Sequence, residues 1–254
     1  METNYAIELY SLRDITENSM RLALQKSAEM GYTGAEFAGF YDYTAEQIKL
    51  WCDKFGLTPV ATHTGLGALD AANIDATVKY HKTLGCTQIV VPSADWSTAE
   101  KMEANIAALN MAQKQLAVCG IRLGYHNHSH EFLKTAYGKY IFEELAARTD
   151  LLFEVDTFWT YNAGVDTIPF LEKNKDRVFL IHLKDGIPTD ALNRNIKDCY
   201  NGVAGKAIGE GTAPVADVIA WSNANRIPMI VESEGLQPTG LEEVGRCIDF
   251  LKAL

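Results

Sequence analysis

Two hydrophobic periodicities alternate along the chain and divide it into short strands and longer helices. The helical stretches repeat apolar residues every three or four positions, as Met102, Ile106, Leu109, Ala112 and Leu116 do, so each presents one apolar face. Between them lie short runs rich in β-branched and aromatic residues, which are typical of buried strands. Eight such strands are predicted, near Tyr5–Leu12, Gly34–Phe40, Leu57–Thr64, Gln88–Pro92, Arg122–His128, Leu151–Thr157, Val178–Lys184 and Pro228–Ser233.

The boundaries of the predicted helices carry their own signals. Capping-box patterns begin at Thr44, Ser97 and Thr239. Glycines that can end a helix in the left-handed conformation are Gly31, Gly56, Gly85 and Gly120. Strands that alternate with helices form a parallel sheet, and eight such units predict an α/β fold with a single (β/α)8 TIM barrel as one domain over residues 1–254. A doubly wound open sheet is the alternative, but its phosphate-binding GxGxxG turn is absent after the first strand.

Composition and charge exclude some classes of partner. The formal net charge of −10 and the lack of a basic run oppose a nucleic-acid surface, because phosphate contacts need clustered Lys and Arg. An acidic protein can still bind a neutral sugar or a cation.

The first apolar run is short and interrupted by Glu8, and no apolar stretch reaches about 18 residues, so neither a signal peptide nor a membrane span is expected. Five scattered cysteines without a CxxC pair predict reduced thiols and a cytoplasmic protein.

Residues with metal-ligand chemistry gather at the ends of the last four predicted strands. The segment from Gly124 to Phe132 holds three imidazoles and a carboxylate. Because functional residues of a barrel sit at strand C-termini, these side chains are expected to form one site. Residues two apart share a face of a strand, which pairs His126 with His128, Glu154 with Asp156, His182 with Lys184, and Glu232 with Glu234. Carboxylates and imidazoles together suit Mn²⁺, Co²⁺, Zn²⁺ or Fe²⁺, with Mg²⁺ also open. The stretch 185–211 is predicted as a loop or short helix over this site.

These motifs together resemble the sugar isomerase/epimerase superfamily of xylose-isomerase-like TIM barrels. The resemblance covers nearly the whole chain and rests on Tyr10-Ser-Leu-Arg13, Gly31-Tyr-Thr-Gly-Ala-Glu36-Phe, Tyr125-His-Asn-His128-x-x-Glu131-Phe, Asp156-Thr-Phe-Trp159, His182-Leu-Lys-Asp185, Gly209-Glu-Gly211 and Glu232. It implies one divalent metal held by an acid on strand five, an Asp on strand six, a His on strand seven and a Glu on strand eight. By position the last three are Asp156, His182 and Glu232.

Two departures from that pattern bear on the chemistry. Where ketose epimerases of the superfamily place a Glu on strand five, this chain has His126, which becomes the expected fourth metal ligand. Their Asp-Thr-Phe-His motif ends here in Trp159. Those enzymes resemble one another in using two metal-bound carboxylates on opposite faces of the substrate, so the substitution of one by imidazole leaves the symmetric mechanism open. A histidine can still act as a base near neutral pH.

The resemblance implies a metal-dependent isomerase or epimerase that acts on a small keto-sugar through an enediolate. The expected catalytic residues are Glu232, His126 and Lys184. A lyase or dehydratase acting on a keto-sugar, an inosose or a 3-keto-glycoside is one alternative, and a non-catalytic sugar-binding barrel is another. No Gly-rich phosphate loop is found, so a non-phosphorylated sugar is favoured. An abasic-site endonuclease is opposed by the acidic charge, and assembly into a homo-oligomer stays open.

Further side chains are candidates for the substrate pocket. Those expected to bind substrate are Glu36, His63, His128, Glu154 and Trp159, the last because sugars stack on aromatic rings. Glu36 and His63 have a competing interpretation as hydrogen-bonded core residues. The expected metal ligands also have one, since Asp156, His182 and Glu232 could be ion-paired structural residues. Lys184 is open between a proton donor and an ion-pair partner of Asp185 or Glu154. Glu131 is open between a substrate contact and a loop residue, while His130 and His81 are expected at the surface.

Overall fold

Eight parallel strands close into a barrel in the computed structural model, which describes residues 4–254. The barrel strands are β1 (Tyr5–Glu8), β2 (Gly34–Phe37), β3 (Thr58–His63), β4 (Gln88–Val91), β5 (Arg122–His126), β6 (Leu152–Asp156), β7 (Val178–Leu183) and β10 (Met229–Val231). They follow one another around the barrel in that order, and β10 pairs back onto β1. The predicted (β/α)8 fold is confirmed, and the open doubly wound sheet is wrong.

Helices connect the barrel strands and cover their outer faces. They are α1 (Arg13–Thr16), α2 (Met20–Met30), α3 (Ala45–Phe55), α4 (Ile74–Leu84), α5 (Ala99–Ala117), α6 (Ile141–Arg148), α7 (Thr157–Asn162), α8 (Thr167–Lys173), α9 (Val215–Asn225) and α10 (Gly240–Lys252). Thr44 and Thr239 cap α3 and α10 as predicted. The cap of α5 is Thr98 rather than Ser97, since its hydroxyl accepts the N–H of Lys101. In the described residues no helix is long and apolar enough to cross a membrane.

A small apolar layer inside the barrel lies directly beneath the polar site. Side chains alternate along a strand, so the residue two positions before an inward-facing one also points inward. Four site residues each follow such an apolar residue, in the pairs Ala6 and Glu8, Ala61 and His63, Leu180 and His182, and Ile230 and Glu232. On β5 the equivalent position is Gly124, where a Cβ would lie 2.5 Å from the ring of Phe179. Glycine there leaves room for the aromatic ring that closes the barrel floor.

The chain departs from the predicted elements after the first and seventh strands. The run predicted to Leu12 breaks after β1 into a 3-10 helix (Leu9–Leu12), because the Glu8 carboxylate accepts the N–H of Tyr10 and turns the backbone. The stretch 185–211 contains an antiparallel hairpin of β8 (Asp185–Ile187) and β9 (Ala204–Lys206), with a short 3-10 turn at Ala191–Asn193. A hairpin therefore stands where a loop or short helix is predicted.

The Asp185 carboxylate anchors the segment that follows this hairpin. It accepts the backbone N–H groups of Gly209 at 3.0 Å, Gly211 at 2.9 Å and Ala213 at 3.0 Å. A Cβ on Gly211 would overlap this carboxylate, 2.1 Å from its Oδ1 atom. The Gly209-Glu-Gly211 motif thus lets the backbone approach Asp185 closely.

Candidate active site

Strand register brings titratable side chains from opposite halves of the barrel to one end. Neighbouring strands align Glu8 with Glu36, His126 with Glu154, and Asp156 with His182. These six side chains are buried, with at most 1% of their surface exposed. The apolar layer below and the loops above remove this group from bulk water, so each charge in it must be met by a neighbour.

Four of the side chains form a compact group that we call the β5–β10 cluster: His126, Asp156, His182 and Glu232. One ligand atom from each lies within 4.8 Å of the others. The Nδ1 atom of His182 faces Oε2 of Glu232 at 3.1 Å. The cluster holds the four residues expected to bind the metal, and the structure brings all four together.

Asp156 has one oxygen in use and one without a partner. Its Oδ1 atom accepts the N–H of Trp159 at 2.7 Å and so caps α7. Its Oδ2 atom is buried and finds no hydrogen-bond partner among residues 4–254, and Lys184 lies 3.7 Å away. Burial raises the pKa of Asp156 to about 8 despite the opposing charge of Lys184. A buried oxygen with no donor in reach is the kind of group that a cation satisfies.

Glu154 is the common partner of three imidazoles. Its Oε2 atom lies 2.7 Å from Nε2 of His63, 3.1 Å from Nδ1 of His126 and 3.2 Å from Nε2 of His182. Glu36 adds a second carboxylate to His182, with its Oε2 atom 2.6 Å from Nε2. A carboxylate accepts hydrogen bonds, so these contacts assign the N–H of His126 to Nδ1 and that of His182 to Nε2. Nε2 of His126 keeps a free lone pair, whereas Nδ1 of His182 also faces a carboxylate, Glu232 Oε2 at 3.1 Å, so His182 carries a second N–H that a bound cation would displace.

Two of the expected substrate-binding residues therefore lie below the pocket. Glu36 and Glu154 are fully buried, and their carboxylates contact imidazoles. His63 and His128 lie higher and line a cavity of about 440 Å³ at the barrel mouth. The other lining residues are Tyr10, Ala38, Gly39, Pro92, Ser93, His126, Glu232 and Glu234. The Nδ1 atom of His128 has no hydrogen-bond partner in the residues that the structure describes, and burial lowers the pKa of His128 to about 4, so the ring is neutral.

Lys184 sits among carboxylates rather than beside the partners considered for it. Its Nζ atom is 3.0 Å from Glu234, 3.3 Å from Glu232 and 3.7 Å from Asp156. The same atom lies 4.6 Å from the centroid of the Trp159 ring. Burial opposes its charge, yet the charges of Glu232 and Glu234 raise its pKa above the ordinary value. Pairing of Lys184 with Glu154 or Asp185 is thus wrong, and a protonated ammonium lies next to the β5–β10 cluster.

Four other positions differ from the sequence expectations. Glu8 lies among the buried acids of the site. In the sequence it stands out only as an acid inside the apolar run of the first strand. His81 is buried rather than at the surface, since its ring bonds the Thr62 hydroxyl of β3 at 2.7 Å. His130 is half-buried, because it bridges Glu131 at 3.0 Å and the Tyr200 hydroxyl at 2.6 Å. Glu131 is itself buried and does not line the cavity at the barrel mouth.

Comparison with known proteins agrees with this architecture. A relative described as inosose dehydratase from Geobacillus kaustophilus is 22% identical over 186 residues, which is 64% of this chain and 60% of that protein. The match thus spans less than two thirds of that relative's length. A solved structure of a sugar phosphate isomerase/epimerase from Parabacteroides distasonis has a TM-score of 0.79 at 24% identity and covers 100% of this chain and 94% of that one. A probable 3-DHS dehydratase from Bacillus anthracis has a TM-score of 0.72 at 12% identity, with coverages of 98% and 99%.

At these identities the solved structures establish a shared fold and no more. The family assignment rests on a match over most of the chain. The family model of the xylose isomerase-like TIM barrel matches residues 24–254, which includes seven of the eight barrel strands. The chain belongs to the xylose isomerase-like TIM barrel family.

Proposed function

We propose that the protein is a divalent-metal-dependent enzyme that isomerises or epimerises a small keto-sugar. The observation that carries this proposal is the β5–β10 cluster, in which four buried side chains of ligand type converge beside an open cavity. Membership of the xylose isomerase-like family supports it. So does the structural likeness to a protein described as a sugar phosphate isomerase/epimerase.

The donor atoms of the cluster fit a divalent cation. Two imidazoles and two carboxylates form a mixed nitrogen and oxygen set, which suits Mn²⁺, Co²⁺ or Zn²⁺ better than Mg²⁺. Carboxylates back both imidazoles on the ring nitrogen that faces away from the cluster, Glu154 at Nδ1 of His126 and Glu36 at Nε2 of His182, an arrangement that orients metal-ligating histidines in proteins. A cation would bind Nε2 of His126 directly and would take the place of the Nδ1 proton of His182. The unpartnered Oδ2 atom of Asp156 completes the argument, because a cation would satisfy it.

A bound cation would polarise the sugar carbonyl and make the adjacent C–H more acidic. The chain must then supply a base, and Glu232 is our assignment. Its carboxylate is ionised, since Lys184 and His182 hold its pKa well below the ordinary value against the effect of burial. It also lines the cavity, so a substrate proton can reach it.

Protons at the sugar oxygens are assigned to Lys184 and His128. Lys184 is a buried ammonium 3.3 Å from Glu232, which places a positive charge where negative charge develops on an oxygen. His128 offers a neutral ring with a free Nδ1 atom at the cavity wall. His126 is the second candidate base, but burial lowers its pKa to about 3 and its Nε2 atom is the proposed metal ligand, so it would accept a proton less readily than Glu232.

Elimination of a β-substituent is the second candidate reaction, and His126 favours it. Epimerisation needs a proton delivered to the opposite face of the carbon, and a buried neutral imidazole is a poorer proton source than a second carboxylic acid. Abstraction from one face followed by loss of water or of a glycoside needs only one base. The relative described as inosose dehydratase supports this alternative.

Exchange of the proton next to the carbonyl is common to both reactions and tests them together. Metal-loaded protein in D₂O is offered ketoses, inososes and 3-keto-glycosides, and deuterium in the recovered sugar is measured by mass spectrometry. We expect incorporation at one carbon, abolished by chelator and by Glu232→Gln. A complete panel without exchange, isomerisation or elimination would instead favour the non-catalytic sugar-binding barrel.

A further inference from the structure

We propose a second divalent-cation site, formed by Glu8, Glu36 and His63 on the opposite side of the barrel. These residues stand at the ends of β1, β2 and β3, and we call them the β1–β3 cluster. None of them belongs to the β5–β10 cluster, which supplies the single cation of the proposed function. The second site stands on its own contacts and does not require that function.

The geometry of the β1–β3 cluster is that of a ligand set. Glu8 and Glu36 are register partners on adjacent strands, so their side chains emerge next to each other. Ligand atoms of Glu8, Glu36, His63 and His182 all lie within 4.8 Å of one another. The Oε1 atom of Glu36 is 3.7 Å from Nε2 of His63, too long for a hydrogen bond. It is close to the roughly 3.4 Å that separates two ligand atoms around a tetrahedral Zn²⁺.

Each carboxylate of the cluster has one oxygen that the protein leaves unpartnered. Glu8 uses Oε1 to accept the N–H of Tyr10 at 3.1 Å, and Glu36 uses Oε2 to bond His182. Within the described part of the chain Glu8 Oε2 and Glu36 Oε1 have no hydrogen-bond partner, and both side chains are fully buried. Two buried carboxylate oxygens without donors are costly, and adjacent carboxylates also repel each other. One cation between them would satisfy both oxygens and remove the repulsion.

The two proposed sites can be filled together because they use different atoms. His182 turns Nδ1 toward Glu232 and gives its Nε2–H to Glu36 Oε2, which leaves Glu36 Oε1 for the second cation. His63 shares a proton with Glu154 through Nε2 at 2.7 Å. A cation that binds this nitrogen replaces that proton, which leaves to solvent.

The cavity at the barrel mouth gives ions a route to the β1–β3 cluster. His63 is 11% exposed and lines that cavity, whereas Glu8 and Glu36 lie behind it. His126 and Glu232 of the β5–β10 cluster line the same cavity. The chain would therefore hold a pair of cations that face one pocket.

Metal counting on matched variants tests this inference and separates it from the proposed function. Chelator-stripped protein is loaded with Mn²⁺, desalted and analysed for Mn per chain by elemental analysis. Glu8→Gln removes a ligand of the β1–β3 cluster alone, and Asp156→Asn removes one of the β5–β10 cluster alone. Glu172→Gln, at a side chain that is 54% exposed, is the control. We expect about two Mn²⁺ in the wild type and the control, and about one in each cluster variant.

The other outcomes have distinct meanings. One Mn²⁺ per chain that survives Glu8→Gln and is lost in Asp156→Asn overturns the second site and leaves the proposed function standing. One Mn²⁺ with the reverse pattern supports the second site and contradicts the first. Two Mn²⁺ retained by Glu8→Gln also overturn the assignment. If Glu8→Gln does not fold, electron paramagnetic resonance of the Mn²⁺-loaded wild type decides, since two neighbouring ions give a spin-coupled spectrum and a lone ion gives an uncoupled six-line one.

Discussion

Glu154→Gln is the substitution that tests most sharply how this barrel holds its imidazoles. The change keeps the size of the side chain but removes the charge from an oxygen that contacts three rings at 2.7, 3.1 and 3.2 Å. A hydrogen bond to a charged group is worth about 1 kcal/mol more than a neutral one, so the bonds to His63 and His126 imply a loss of about 2 kcal/mol in the free energy of unfolding, to which the lost charge contact with His182 adds. That agrees with the roughly 3–5 kcal/mol measured when one partner of a buried ion pair is removed.

The same substitution should weaken cation binding at the β5–β10 cluster. Glu154 fixes the N–H of His126 at Nδ1, and without it the ring can turn or change tautomer. Loss of such a supporting carboxylate typically lowers metal affinity by about 10- to 100-fold, or about 1.4–2.7 kcal/mol. Urea denaturation gives the stability, and calorimetric titration with Mn²⁺ gives the affinity. Titrations in the Glu8→Gln background exclude a contribution from the β1–β3 cluster.

The result that would refute this reasoning is a Glu154→Gln variant with wild-type stability and wild-type Mn²⁺ affinity. It would mean that the imidazoles are oriented by packing and not by the shared carboxylate. Glu172→Gln serves again as the control, because its side chain is half exposed and lies away from the barrel mouth. It should leave both quantities unchanged.

Three further outcomes are expected. Lys184→Met should lower turnover on the order of a hundredfold. Turnover is measured as the steady-state rate on the substrate that the deuterium-exchange panel identifies. A fall in thermal stability with turnover retained would mean that Lys184 serves only as an ion-pair partner. Mn²⁺ at about 100 times its Kd should raise the free energy of unfolding by about 2.7 kcal/mol in urea titrations. If the cation binds at the β5–β10 cluster, the same Mn²⁺ concentration should stabilise Asp156→Asn less than the wild type. Glu131→Gln should lower the free energy of unfolding most between pH 4.5 and 6.5. Burial opposes the charge of Glu131, but His130 lowers the pKa of Glu131 from 4.5 to about 2, so the stability that Glu131 contributes is lost as pH falls toward 2. Glu131 in turn raises the pKa of His130 above 6.5, so the stability that His130 contributes is lost as pH rises through that raised pKa. A destabilisation that stays constant from pH 2 to 9 would contradict this ion pair.

Much of the barrel could be predicted because each strand and helix carries a local signal. Periodicity and glycine caps place all eight strands. Asp156 and His182 each lie near the C-terminal end of a predicted strand, which places both at the same end of the barrel. The hairpin β8–β9 could not be predicted, since its three-residue strands are held by contacts such as those of Asp185 to a distant backbone segment. Short strands of that kind have no periodicity of their own.

The lower part of the site escaped prediction for a related reason. A sequence shows which residues share a face of a strand, but not how deep each lies in the barrel. Glu36 and Glu154 were expected at the substrate, and the structure places both beneath the imidazoles. Glu8 has no neighbouring ligand residue in sequence, and only the pairing of β1 with β2 brings it beside Glu36. His81 likewise depends on a contact between α4 and β3.

The central claim is that a divalent cation binds between Asp156, His182 and Glu232, with His126 as fourth ligand. The most direct measurement is a crystal structure of Mn²⁺-loaded protein with anomalous data collected near the manganese edge. We expect an anomalous peak about 2.0–2.3 Å from Asp156 Oδ2, His182 Nδ1, Glu232 and His126 Nε2. A fully loaded crystal without a peak among these four side chains, and with Lys184 still paired to Glu232 and Glu234, would contradict this site.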